Sequence, residues 1–141
     1  MLTKILAVTA LTLLTSSPAL AAAGGCHTIV GTHTNQNVPC VVPAIACVES
    51  QATGTFAGTA LTVITGFDPT TGIFTGTTTS FLTNGAVIES TIVGTGAGSV
   101  LTITGGTRQF AHATGGWVTT APTATAPGTS TGEYCLGQGA R

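Results

Sequence analysis

The chain has 141 residues, of which three are Lys or Arg, four are Asp or Glu and three are His, giving a formal net charge of −1. So few cations argue against nucleic acid or an anionic membrane surface as a partner, because both are held by clustered Lys and Arg. Hydrophobic residues make up 43% and charged residues only 5%, and threonine supplies most of the polarity, its Cβ branch suiting a pleated strand while its hydroxyl stays wet.

Met1-Leu2-Thr3-Lys4 is a short basic start, Ile5 to Leu14 is apolar, and Pro18-Ala19-Leu20-Ala21 ends in a small-x-small site. Residues 1–21 therefore read as a secretory signal peptide, cleaved after Ala21 or, alternatively, after Ala22 or Ala23. Thr9, Thr12, Thr15, Ser16, Ser17 and Pro18 interrupt the run short of the roughly 20 apolar residues that a membrane anchor needs. No later segment is long and apolar enough to be a membrane span. The expected location is secreted or periplasmic. Loss of the leader removes Lys4, leaving Arg108 and Arg141 against Glu49, Asp68, Glu89 and Glu133, two positive and four negative charges, hence −2.

In an oxidising compartment Cys26, Cys40, Cys47 and Cys135 are expected to form two disulfides. Three pairings are open. Cys26 with Cys40 and Cys47 with Cys135 is favoured, because the second bridge would tie an early strand to the last. No Cys-x-x-Cys occurs, and His27, His33 and His112 are not spaced to meet on one strand face, so no metal site is expected. Residues 22–45, with Asn35-Gln36-Asn37 and two prolines, read as a disulfide-stapled N-terminal loop region in which only His27 to Thr32 suits a short edge strand.

Residues 46–141 read as the β domain. Apolar and Thr residues alternate between Gly-rich breaks, which predicts strands at Ala46 to Gly54, Thr55 to Thr65, Gly72 to Leu82, Ala86 to Gly94, Ser99 to Thr104, Gly116 to Ala121 and Thr131 to Leu136. Phe67-Asp68-Pro69-Thr70-Thr71-Gly72 has turn chemistry. Asn84-Gly85 is a type I′ hairpin signal, and Gly94-Thr95-Gly96-Ala97-Gly98 is another reversal. Connections this short join antiparallel neighbours. Closing such a sheet removes its edges, so the expected fold is all-β, a closed antiparallel barrel of seven or eight strands. Ala86, Ile88 and Ile92 share one face and Leu101 and Ile103 another, whereas Thr55 to Thr65 is apolar on both faces, a pattern that suits a packed interior and an exterior covered in part by a second subunit.

The stretch Ile103-Thr104-Gly105-Gly106-Thr107-Arg108-Gln109-Phe110-Ala111-His112-Ala113-Thr114-Gly115-Gly116 resembles the I-x-G-G-T-G-R-F-A-G-A-x-G motif of the allene oxide cyclase and dirigent-like barrel superfamily, which includes small secreted bacterial members. Its paired glycines let the chain leave a strand tightly, and Phe110 plugs the barrel end. Gly54-Thr55-Phe56-Ala57-Gly58-Thr59-Ala60 and Gly72-Ile73-Phe74-Thr75-Gly76 are similar to the superfamily's earlier hairpins, so the resemblance covers most of Ala46 to Leu136. It implies a barrel that handles a small ligand. The motif's arginine is displaced by one position, with Arg108 then Gln109 where Gly then Arg is usual, and His112 stands where a Gly is usual. No position matches the catalytic carboxylate and asparagine of allene oxide cyclase, nor the aspartates and arginine of phenol-coupling dirigent proteins. No site residue is therefore carried over from the resemblance.

Five residues are candidates for ligand contact: Glu89, Arg108, His112, Trp117 and Tyr134. A carboxylate facing into a barrel would have its pKa raised by desolvation and could act as acid or base. Glu49 and Glu89 both lie in apolar text, but Glu89 is out of phase with Ile88 and Ile92, so it points outward if they fill the barrel. Arg108, near His112, offers a planar fork of donors to an anion, or else caps a turn or pairs with Glu133. Trp117 and Tyr134, the only indole and the only phenol, suit a pocket mouth or the core. No nucleophile-elbow motif supports a Ser-His-Asp triad. Neither catalytic constellation nor cofactor is assigned.

The function expected is binding of a small apolar ligand, fatty-acid-like or phenolic, inside the barrel. The alternative is a non-enzymatic secreted structural or interaction protein. A third reading, a flat threonine surface of the ice-binding kind, needs Thr in register on consecutive strands, and Thr75-Gly76-Thr77-Thr78-Thr79 supplies it on one. A homo-oligomer is compatible with the apolar exterior.

Overall fold

The computed structural model describes residues 25–137; the proposed leader lies outside the described residues. Eight strands, β1 (Cys26–Val38), β2 (Ala46–Ala52), β3 (Gly58–Asp68), β4 (Ile73–Leu82), β5 (Val87–Thr95), β6 (Gly98–Gly106), β7 (Thr114–Thr120) and β8 (Gly128–Cys135), pair antiparallel in chain order. β8 returns to β1 and closes the barrel. Single 3₁₀ turns, Gly54–Phe56 and Arg108–Phe110, precede β3 and β7. Among the described residues, no helix is long and apolar enough to cross a membrane.

Residues 26–38, expected as a loop, form the longest strand and the seam of the barrel. Cys26 to His33 pair with β8, and His33 to Val38 pair with β2. This stagger is the shear that a closed barrel requires. It explains why a segment rich in Asn holds strand geometry: its partners lie about 100 residues away as well as next door, with Cys26 opposite Cys135, a sequence separation of 109.

The same register corrects the favoured disulfide pairing. Cys26 bonds Cys135 across the seam, and Cys40 bonds Cys47 across the β1–β2 connection. An early strand is indeed tied to the last, but through Cys26. Cys47 sits on the outer face of β2, opposite Val63, and is buried.

Antiparallel alternation places the β2–β3, β4–β5 and β6–β7 connections, the start of β1 and the end of β8 at one end of the barrel, called here the plugged end. Side chains fill it. Phe56 and Phe110 enter from the two 3₁₀ turns and meet edge-on, with ring centroids 5.9 Å apart, while Tyr134 packs at 5.2 Å from Phe56 and 5.6 Å from Phe110. Trp117 stands 5.4 Å from Phe56. Ile29, Ala86, Ile88, Ile92, Leu101, Ile103 and Ala113 complete the core. Ile88 has no exposed surface, as expected from its phase along β5.

At Asn84-Gly85 the turn closes with Gly85 at φ +79°, and the Asn84 side chain accepts the Ala86 N–H at 2.9 Å. Asp68 caps its own turn, accepting the Thr70 N–H at 2.8 Å and the Thr71 hydroxyl at 2.9 Å, and these bonds hold its carboxyl below the ordinary range. On the outside, Thr77, Thr91 and Thr102 stand opposite one another across β4, β5 and β6. The threonine register visible on one strand thus extends to three.

The two disulfides close loops of very different length, so they should differ in effect. In the chain-entropy model, Cys26→Ser with Cys135→Ser should cost about 4.8 kcal/mol, and Cys40→Ser with Cys47→Ser about 2.5 kcal/mol. Denaturant titration of both double variants checks the order. Equal losses would show that the seam bridge constrains the unfolded chain no more than the short one does.

Candidate ligand cavity in the barrel

An eight-stranded barrel has an interior just wide enough either to be filled by side chains or to hold one small ligand. This barrel does both. Above the aromatic plug lies a cavity of about 100 Å³, large enough for one ring-sized molecule and well below the roughly 300 Å³ at which drug-sized pockets begin.

The wall on the plug side is apolar, made by Ile29, Phe56, Leu101 and Trp117. Elsewhere the inward positions of five strands are hydroxylic: Ser50 on β2, Thr78 and Ser80 on β4, Ser99 on β6, Thr119 on β7 and Ser130 on β8. His33 and Asn35 complete the polar wall from β1. Among the described residues, no Lys, Arg, Asp or Glu lines the cavity. Asn35 is exposed, so the cavity communicates with solvent beside β1.

Most of these polar groups are already paired. Ser50 donates its hydroxyl to Asn35 Oδ1 at 2.8 Å. Ser99 and Thr119 share a 2.8 Å bond, as do Thr78 and the buried Thr62. Among the described residues, no fully buried side-chain N or O atom lacks a partner. His33 is held more loosely, with Nδ1 3.4 Å from Ser130 Oγ. Its ring lies over Gly128, where a Cβ would come within 2.6 Å of Cε1 and Nε2 and within 2.3 Å of the Thr120 carbonyl oxygen. Only glycine leaves the imidazole that place. Partial burial lowers the His33 pKa from its ordinary value, favouring the neutral ring.

Of the five candidate residues, one lines the cavity. Trp117 is 8% exposed and forms part of the wall. Tyr134 backs the plug and stacks on His27 at 5.1 Å. Glu89 lies on the outer face of β5, exposed, between the inward Ile88 and Ser90. Arg108 and His112 are exposed at the plugged end, where Arg108 Nη1 donates to the Asn84 carbonyl at 2.7 Å and so braces the neighbouring hairpin turn. Arg108 is also the one described non-glycine residue with positive φ, at 54°. Glu89, Arg108 and His112 do not line this cavity: strand phase turns the first outward, and Phe110 and Phe56 lie between the interior and the other two.

The sequence does not mark Phe56 or His33 as cavity residues: His33 is weighed there only as a metal ligand. Phe56 falls at the start of the strand expected over Thr55 to Thr65, where the chain instead makes the 3₁₀ turn Gly54–Phe56. His33 follows Ile29 and Gly31 at strand period, and continuing that alternation through β1 would have placed it inward.

Cys26, Glu133 and Cys135 lie close together, but both sulfurs are spent in the seam disulfide, which leaves no thiolate donors for a metal. Comparison with protein-family models, with curated proteins and with solved structures finds no match to this chain.

The direction of the His33 shift fixes a pH dependence. Because the folded ring binds its proton less readily than the unfolded one, this group favours folding above the unfolded pKa of about 6.5, and that contribution is lost as pH falls toward and below its folded value. Thermal unfolding of wild type and His33→Gln between pH 8 and pH 5 measures it. The variant should lose less stability than wild type over that fall; parallel curves would mean that folding leaves the ring's proton affinity unchanged.

Proposed function

We propose that the protein is a secreted barrel that binds one small molecule with an apolar body in its interior, the role that its resemblance to the allene oxide cyclase and dirigent-like superfamily implies. The observation that carries this reading is the unfilled cavity above the plug. A barrel of this size can pack its interior completely, yet Ala52, Ala60, Ser80 and Ser99 present small side chains to the space. Trp117 and Phe56 give a guest an aromatic surface, and the hydroxyl wall orients any polar edge it carries. The cavity's size favours a single ring over an extended acyl chain. No pair of groups in the wall forms an acid and base set, so binding is the activity proposed, with no reaction assigned.

A second reading, a structural or interaction role, draws on the exterior. Val93, Val100 and Val118 stand opposite one another across β5, β6 and β7, and Thr131 carries the row on to Val30. Each of these valines is about half exposed. An uncharged row of this kind suits contact with another surface.

The binding reading is tested with Trp117, the only tryptophan in the chain. Toluene should change its fluorescence saturably, and Ala60→Leu, which places a larger side chain in the cavity, should abolish the response while circular dichroism stays that of wild type. Native mass spectrometry of protein from its own secretion should show a retained small molecule. An unresponsive Trp117 across ring-sized probes, together with no retained species, would leave the exterior as the working surface.

A further inference from the structure

Resting on the cavity reading above, we propose that His33 forms a hydroxyl-recognition subsite, so that the ligand is a neutral, ring-sized alcohol whose O–H donates to the imidazole.

The argument is one of spare hydrogen-bonding capacity. Ser50 donates to Asn35 Oδ1, and Ser99 with Thr119 and Thr62 with Thr78 share one bond each, all at 2.8 Å, so each of these groups holds one short bond while one hydroxyl proton in each hydroxyl pair stays uncommitted. A guest that takes the place of one of these partners must first break an old bond. His33 differs. Its contact to Ser130 is long at 3.4 Å, and the neutral ring keeps one nitrogen able to accept and one able to donate. Ser130, next to it, can accept or donate through the same hydroxyl. The imidazole is also fixed in place, since Gly128 alone admits it over the backbone. A positioned, under-used polar group beside an apolar wall is how a small pocket orients a ligand.

The charge of the guest follows from the wall. With no Lys, Arg, Asp or Glu lining the cavity, an ionised ligand would leave water with no counter-charge to meet it. A neutral alcohol meets neither problem. The groups packed on His33, Ser130, Gly128 and the Thr120 backbone, do not titrate, so its protonation is governed by the ring's own burial. Protonated His33 has no acceptor left, so an alcohol would meet it through its own oxygen, accepting from a ring N–H.

The test compares benzyl alcohol, cyclohexanol and toluene on the intact protein, read by Trp117 fluorescence and by nitrogen-detected NMR of the His33 ring. At pH 7.5 benzyl alcohol should bind about three- to tenfold more tightly than toluene, the span a single net hydrogen bond supplies. It should move the His33 nitrogen signals, as should cyclohexanol, which shows that the hydroxyl and not the aromatic ring is read. His33→Phe should remove the preference while keeping toluene binding. NMR on wild type keeps the test decisive where the variant fails to fold. If Trp117 responds to all three probes while the His33 signals stay still, the subsite is wrong and the cavity reading stands. If neither Trp117 nor His33 responds to any probe, the cavity reading and the subsite fall together.

Discussion

The structure depends on the seam between β1 and β8. The seven antiparallel pairings between consecutive strands can be made by short connections alone, and each is local, but the resulting sheet has two edges with unpaired backbone donors and acceptors. The eight residue pairs from Cys26–Cys135 to His33–Gly128 remove both edges at once. They are also the pairs with the greatest loop-closure cost, since they join the two ends of the domain. The disulfide at the end of the seam meets that cost before folding is complete, by keeping the two strands within reach of each other in the unfolded chain.

Closure sets the character of the interior. Once strands alternate in and out, each contributes only its even or its odd positions to a space of fixed width, and this sequence spends those positions unequally. Toward the plugged end they are aromatic and aliphatic, and Phe56, Phe110, Trp117 and Tyr134 reach one another across the barrel. Away from it many of them are Ser, Thr, Ala and Gly, with Ile92 and Phe74 as larger exceptions. Small hydroxylic residues cannot fill the cross-section, and their mutual bonds make an inward polar wall tolerable without charge. The plug supplies the stability and the smaller residues supply the space.

How much of this was written in the sequence varied with the range of the interaction involved. Asn84-Gly85, the Asp68 turn and the phase of Ile88 and Ile92 are local, and each could be read directly. Glu89 was legible for the same reason, through its opposition to Ile88. β1 was not, because its Asn-rich text resembles a turn until its partners Ser50, Glu49 and Val48 on one side and Thr129 to Cys135 on the other are known. The disulfide pairing failed with it. Arg108 looked like a ligand donor in a loop, and only coordinates show its guanidinium bound to the Asn84 carbonyl. The cavity's polar wall was hidden for a further reason: serine and threonine occur on both faces of these strands, so composition alone cannot say which hydroxyls turn inward.

His33 joins these levels. Its place in the cavity is a consequence of the seam: it is the residue at which β1 passes from pairing with β8 to pairing with β2, opposite Gly128 on one side and Ala52 on the other. Both neighbours are small, and a bulkier residue at Gly128 would collide with the ring and with the Thr120 carbonyl. The shear that closes the barrel therefore also opens the one inward place where an imidazole can lie flat against backbone and still face the cavity. In the cavity wall this ring is held by one long contact, to Ser130 at 3.4 Å. Closure, packing and recognition meet at this residue, and a change in strand register by two positions would move it out of the cavity while leaving every hairpin turn intact.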